Sequence, residues 1–217
     1  LPQSVTSYIA ATVLFEGITA QYLLKSTYQV KQGTVVLLYG VGGALGQIMA
    51  PWAKHLGATV IGVVSKASSV DRARVLGCDE VLVWRKGDLA EKVAAFTNGH
   101  KADLVYDGVG KLTFEASINS LRPRGLMVSI GASTGAPPPV EVGTLKAMGS
   151  LFLTRPGLAA HATDVNEYRE RAADVLEAAT KGMFPTAFWK EFPLNEATAA
   201  HEAIQSGQAS GPVILRP

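Results

Sequence analysis

Apolar runs of strand length alternate along this chain with stretches whose apolar residues recur at helical spacing. Thr34 to Tyr39 (TVVLLY) is apolar at nearly every position, as a strand buried on both faces requires. Helix-period residues follow as far as Leu56, and Gly57 stands where a left-handed cap would end them. Thr59 to Val64 predicts a second strand, Ser68 to Leu76 a helix closed by Gly77, and Glu80 to Val83 a third strand. Asp88 to Thr97 predicts a helix opened by an acidic cap, and Asp103 to Tyr106 a fourth strand. Leu112 to Leu121 is a helix and Leu126 to Ile130 a fifth strand. Strands this apolar, each followed by a helix, predict a doubly wound α/β fold with a parallel sheet covered on both faces.

Two flanks depart from that rhythm. Ser4 to Ser26 reads as a helix with Ala10, Ala11, Val13, Leu14, Ile18, Tyr22 and Leu23 at its apolar positions. Beyond Ala132 come a loop at Gly135 to Pro139 and a strand at Ser150 to Thr154. An amphipathic helix follows at Asp164 to Lys181, with Tyr168, Ala172, Val175, Leu176 and Ala179 on one face. Phe184 to Pro217 predicts a helix near Glu196 to Ser206 and a closing strand at Pro212 to Leu215. That tail is too short for a core of its own. The expected division is 1–156 for the nucleotide-binding unit with its leading helix, and 157–217 for a helix and a C-terminal segment that leans on the sheet or on something absent.

Composition narrows the function classes. The 217 residues carry a formal charge of +2, which gives no reason to expect nucleic acid or an anionic membrane as partner. No apolar run reaches the roughly 20 residues that span a bilayer. The single cysteine, Cys78, excludes a disulfide framework and a multi-cysteine zinc site, and a buried, unreactive thiol is expected. The chain opens at Leu1 without a signal-peptide pattern and reads as a fragment of a cytoplasmic protein.

The candidate chemistry lies after the first strand, in Gly40-Val41-Gly42-Gly43-Ala44-Leu45-Gly46. Strand, glycine turn and helix in that order predict a dinucleotide site: the turn lets backbone approach a pyrophosphate, and the helix N-terminus offers unpaired amides. An NAD site places Asp or Glu at the end of the second strand for the ribose 2′-hydroxyl. Ser65 and Lys66 stand there instead, with Ser68, Ser69 and Arg72 behind them. A carboxylate would repel a 2′-phosphate, whereas Lys66, Arg72 and the hydroxyls attract one, so NADPH is expected over NADH. There is no G-x-x-x-x-G-K-[ST] for a P-loop. No tyrosine is followed four residues on by lysine, as a short-chain dehydrogenase would need.

Several motifs in order carry a resemblance. Leu38 to Gly46 with Trp52 to Ala58, Gly17-Ile18-Thr19-Ala20, Tyr106 to Gly110, Arg124 to Gly131, Gly149 to Pro156, Ala200-His201-Glu202 and Gly211 to Leu215 together resemble the medium-chain dehydrogenase/reductase superfamily. The nearest branch is the zinc-free NADPH:quinone oxidoreductases, which include zeta-crystallin. The resemblance implies a Rossmann NADP-binding fold whose tail belongs to a largely missing, GroES-like catalytic domain. It implies hydride transfer to a quinone or enone without a covalent nucleophile, and a homodimer paired through edge strands, with Ser150 to Thr154 the candidate. Thr12 stands where zinc-dependent relatives place a ligand, so no metal is expected. By position, Gly43, Ala44 and Leu45 meet the pyrophosphate and Ser65 and Lys66 the 2′-phosphate, with Gly40, Gly46 and Arg72 also counted among the cofactor-binding residues. Trp84 lies at the site edge; Val109, Gly110, Ile130, Gly131, Ala132 and Arg155 lie on the ribose and nicotinamide side. In some relatives a lysine and a tyrosine grip the 2′-phosphate where this chain has Ser69 and Trp84. A structural NADPH-binding protein of the crystallin type and an enoyl-reductase module of a larger synthase are the alternatives. Asp107 is expected to cap a loop rather than act as an acid. Pro51 sits inside a predicted helix, where proline costs about 3 kcal/mol.

Overall fold

The central strands are mostly apolar because their two faces are buried in different cores. In the computed structural model, which describes residues 1–209 and 211–217, β1 (Val35–Tyr39) sends Val36 and Leu38 to one side and Leu37 and Tyr39 to the other. Its neighbours β2 (Thr59–Val64) and β4 (Ala102–Asp107) divide in the same way, with Ile61 and Val105 beside Leu37 in register. With β3 (Glu80–Val83), β5 (Leu121–Ser129) and β6 (Phe152–Thr154) they form a six-stranded parallel sheet in the order β3-β2-β1-β4-β5-β6. The order reverses at β1, between β2 and β4. In open α/β sheets such a switch point leaves a crevice beyond the carboxyl ends of the strands.

One face is covered by α1 (Ser7–Tyr22), α2 (Gly46–His55), α3 (Val70–Val75) and α7 (Val165–Thr180). The other is covered by α4 (Leu89–Phe96) and α5 (Phe114–Asn119). The doubly wound Rossmann arrangement is therefore present as expected, and the helices after β1, β2 and β3 fall where the apolar spacing put them. Gly57 and Gly77 hold φ of 88° and 93° just past α2 and α3, as C-terminal caps. Asp88 occupies the N-cap of α4 but makes no cap hydrogen bond; its carboxylate takes Lys92 instead, at 2.6 Å. Pro51 lies within α2 and deprives the Gln47 carbonyl of its helical donor; nothing in the structure explains its presence.

Several elements differ from the sequence pattern. α1 ends at Tyr22 and the chain continues as a π-helical turn over Leu23–Thr27. β5 begins at Leu121, five residues early, because Arg124 at φ 60° and a register shift near Ala102 bend the strand before its apolar half. A short α6 (Val142–Ala147) had no apolar stripe to announce it. On α7, Tyr168 is 41% exposed whereas Arg171 is 4% exposed. Arg171 Nη1 donates to Gln21 Oε1 at 2.5 Å and to Ser26 Oγ at 2.9 Å, and Nη2 pairs with Glu167. Lys25 pairs with Asp174 at 2.7 Å alongside, and Gly17 lies so close to Val175 that an added Cβ would meet it at 2.4 Å.

The expected division at residue 156 parts α7 from α1, against which it packs. After Phe184, the last residue of the main core, come β7 (Lys190–Pro193), α8 (Ala197–Gln205) and β8 (Val213–Arg216). β7 was not expected from the sequence; it pairs parallel with β8 and shares a small cluster of Phe192, Ala200 and Ala203.

Candidate functional site

The turn after β1 is built from backbone. Gly40 holds φ 67°, and its carbonyl accepts from Gly43 N at 2.9 Å. That carbonyl then packs under the start of α2: a Cβ on Gly46 would lie 2.2 Å from Gly40 O and 2.7 Å from Val41 Cα. Only hydrogen fits there, so the turn and helix can touch. Among the described residues the Ala44 and Leu45 amides donate to no protein acceptor. They stand at the N-terminus of a ten-residue helix, where unpaired N–H groups and the helix dipole favour an anion.

A cleft of about 530 Å³ opens above this turn. Six of the fifteen sequence-selected residues line it: Gly40, Gly43, Ser65, Arg72, Trp84 and Val109. Ser65 directly follows β2 and is joined by Ser69, while Arg72 reaches over Gly42 and lies 3.5 Å from Gln47 Oε1. Trp84 follows β3 and meets Tyr39 edge-on, with centroids 6.3 Å apart. The remaining selected residues sit around the cleft rather than in its wall. Ala44 is exposed, Leu45 half-buried and Gly46 buried at the start of α2; Lys66 is exposed beside Ser65. Gly110 is buried with its amide committed to Asp107. Ile130, Gly131 and Ala132 are half-buried past the end of β5, with the Ile130 amide held by Asp107 O at 2.8 Å. Arg155 is placed elsewhere, over a groove at the ends of β5 and β6, donating to Ser129 Oγ at 3.1 Å.

Sequence reasoning missed the rest of the wall. Tyr39, Val63 and Val64 read only as strand, yet each ends at the cleft. Leu112, Thr113, Ser133 and Thr134 come from two loops that are laced together: Thr134 N and Oγ1 donate to Val109 O at 2.9 and 2.7 Å, and Lys111 N to Gly135 O at 3.0 Å. The signal available was the polar run after β5, opposite Val109.

Asp107 organises the floor. It is 1% exposed, and Oδ1 accepts from Val109 N at 2.8 Å and Gly110 N at 3.0 Å. Thr113 Oγ1 lies 2.9 and 2.7 Å from its two oxygens, and Ser117 Oγ 2.6 Å from Oδ2. Ser117 also lies 2.9 Å from the Tyr39 hydroxyl; since its one proton goes to the carboxylate, Tyr39 donates to Ser117. Burial pushes the Tyr39 phenol well up, so it stays a neutral donor. The loop-capping role expected of Asp107 is what this geometry performs. Elsewhere, burial raises the Cys78 thiol to about 12, with Asp79 adding to it, which leaves it unreactive. His55, His100 and His201 are exposed, while His161 stacks on Tyr22 at 4.2 Å and burial lowers its pKa.

A family model described as zinc-binding dehydrogenase matches residues 44–178, more than half of the chain. The chain belongs to the medium-chain dehydrogenase/reductase superfamily, in its quinone oxidoreductase branch. A 2-haloacrylate reductase from Burkholderia is 41% identical over 208 residues, covering 95% of this chain and 62% of that protein. Quinone oxidoreductase 1 of Escherichia coli is 36% identical across the whole chain, which spans 67% of its length. The solved quinone oxidoreductase of Escherichia coli complexed with NADPH superposes on the entire chain with a TM-score of 0.92. The chain thus spans about two thirds or less of the length of these relatives. The donor chemistry of this superfamily member does not suit the zinc in the family description. The Thr12 hydroxyl is spent on Tyr8 O at 2.8 Å, and among the described residues no three His, Cys, Asp or Glu side chains cluster.

Proposed function

We propose that this chain forms the NADPH-binding part of a reductase acting on quinones or on α,β-unsaturated carbonyl compounds. The observation that carries the reading is the end of β2: Ser65, Ser69 and Arg72 face the cleft where a carboxylate would be needed to select NADH. The turn fits a dinucleotide for the same reason that it needs glycine, since backbone and unpaired amides, not side chains, face the space. In this reading the Ala44 and Leu45 amides hold the pyrophosphate, and Ser65, Ser69, Arg72 and Lys66 hold the 2′-phosphate. Trp84 and Tyr39 form the aromatic wall. Val109, Gly110 and Ile130 to Ala132 border the nicotinamide side, with Arg155 beyond. The bound cofactor supplies the hydride; the chain's own residues fix its position and keep water from its floor, and orientation is the larger part of such catalysis.

The same proposal extends to the rest of the molecule. The nucleotide-binding unit runs to about Phe184, and β7, α8 and β8 belong with a second unit that completes the substrate cleft. A second copy pairs along the open edge of β6, where Phe152 is 61% exposed. The cytoplasm is the expected compartment. The test is NADPH consumption followed by absorbance with 1,4-benzoquinone, a simple enone and 2-chloroacrylate as acceptors. In the full-length protein, turnover with at least one of them, and with NADPH ahead of NADH, is expected, whereas this chain by itself turns over slowly or not at all because the other wall of the substrate cleft lies outside it. Tight NADPH binding with no acceptor consumed by the full-length protein contradicts the reductase reading and favours a structural NADPH-binding protein.

A further inference from the structure

Among the described residues two carboxylates are buried, and they are treated differently. Asp103 is 8% exposed and is answered by Arg122, 2.5 Å away, along with Val35 N at 2.7 Å. Asp107 is the more deeply buried of the two, yet every group that touches it is neutral: two backbone amides and the hydroxyls of Thr113 and Ser117. Among the described residues no lysine, arginine or histidine forms an ion pair with it. Both oxygens accept and neither has an acceptor to give a proton to except hydroxyls already placed as donors, which is the pattern of an ionised carboxylate. A buried negative charge without a cation is costly, and it persists only where something else gains from it.

The location of the charge says what gains. Asp107 ends β4 at the topological switch point and bonds directly to the amide of Val109, whose side chain lines the cleft. Asp107 is 1% exposed, so water does not reach the carboxylate itself and screens its charge little. We propose that Asp107 sets the balance between the two redox forms of the cofactor, holding NADP⁺ more tightly relative to NADPH than a neutral residue would. This rests on the NADPH reading of the cleft. The two forms are the same molecule except for the nicotinamide ring, which is neutral when reduced and carries one positive charge when oxidised. With Val109 and Gly110 bordering the nicotinamide side, a fixed negative charge under their loop would enter the difference between the two affinities, while contacts to phosphate, ribose and adenine would cancel. The bias favours the direction in which hydride leaves the cofactor. Asp107 touches neither cofactor nor substrate, so it is a positioning residue acting by its charge.

The test is the pair of dissociation constants for NADPH and NADP⁺, measured by fluorescence titration of the full chain. Asp107→Asn removes the charge and keeps the shape: Oδ1 still accepts from Val109 and Gly110, and the amide donates to hydroxyls that accept equally well. Asp107→Ser is a second neutral replacement that still closes the turn, more weakly. Ser117→Ala loosens the floor and keeps the charge. The expected result is that NADP⁺ weakens relative to NADPH by about tenfold, or about 1.4 kcal/mol, in whichever neutral variant folds. In Ser117→Ala the ratio stays at the wild-type value. A ratio unchanged in the neutral variants, with both affinities falling together, reduces Asp107 to a loop cap and overturns the inference alone. A wild-type protein that binds neither form overturns the reading of the cleft as well.

Discussion

At the scale of single residues, the site depends on where side chains are missing. Gly46 is the sharpest case, because the obstacle to a Cβ is the backbone of Gly40 and Val41, which cannot swing away. Gly46→Ala should destabilise the fold by about 1–3 kcal/mol, the range for forced overpacking. It should also lower NADPH affinity at least about tenfold, since the same displacement moves the amides of the turn. Denaturant unfolding and a titration on the same preparation check this; an alanine variant with wild-type stability and affinity contradicts it. Arg72 illustrates the opposite case, a long side chain drawn over the turn from α3. Its place at the cleft could be read from the sequence as a basic residue behind Ser65, but its path over Gly42 could not.

At the scale of elements, legibility followed periodicity. The strands β1 and β2 were readable because burial on two faces leaves almost no polar position, and α7 was readable from its stripe of Val175, Leu176 and Ala179. Arg171 was not, because a guanidinium can be buried only if partners on another helix meet it, here Gln21 and Ser26, some 150 and 145 residues away. The short α6 and β7 escaped for a related reason, since neither buries a face long enough to leave a pattern. The wall of the cleft was half legible for the same cause: the glycine turn and the end of β2 are local, whereas Thr113, Ser133 and Thr134 reach it through a lacing of two loops. The edge of the sheet carries a separate expectation. Phe152 and Leu153 on β6 are 61% and 37% exposed, an apolar open edge that invites pairing. Phe152→Lys should convert a dimer to a monomer in size-exclusion chromatography with light scattering, with little change in melting temperature. A wild-type monomer, or a variant that stays dimeric, contradicts pairing along β6.

At the scale of the whole molecule, a switch-point crevice, a glycine turn at a helix N-terminus and an acid-free β2 end converge on one cleft. Each comes from a different stretch of chain, and the parallel sheet brings them together. The chain's membership of the quinone oxidoreductase branch agrees with that geometry, and the chain spans 62–67% of the length of these relatives. The most direct test is a fluorescence titration of the protein with NADPH and, in parallel, NADH, with Trp84 at the cleft as an internal reporter. Saturable NADPH binding, with NADH weaker by at least about tenfold (about 1.4 kcal/mol), is the expected result. Equal affinity for the two, or binding of neither, would contradict the assignment of Ser65, Ser69 and Arg72 to a 2′-phosphate and with it the central claim.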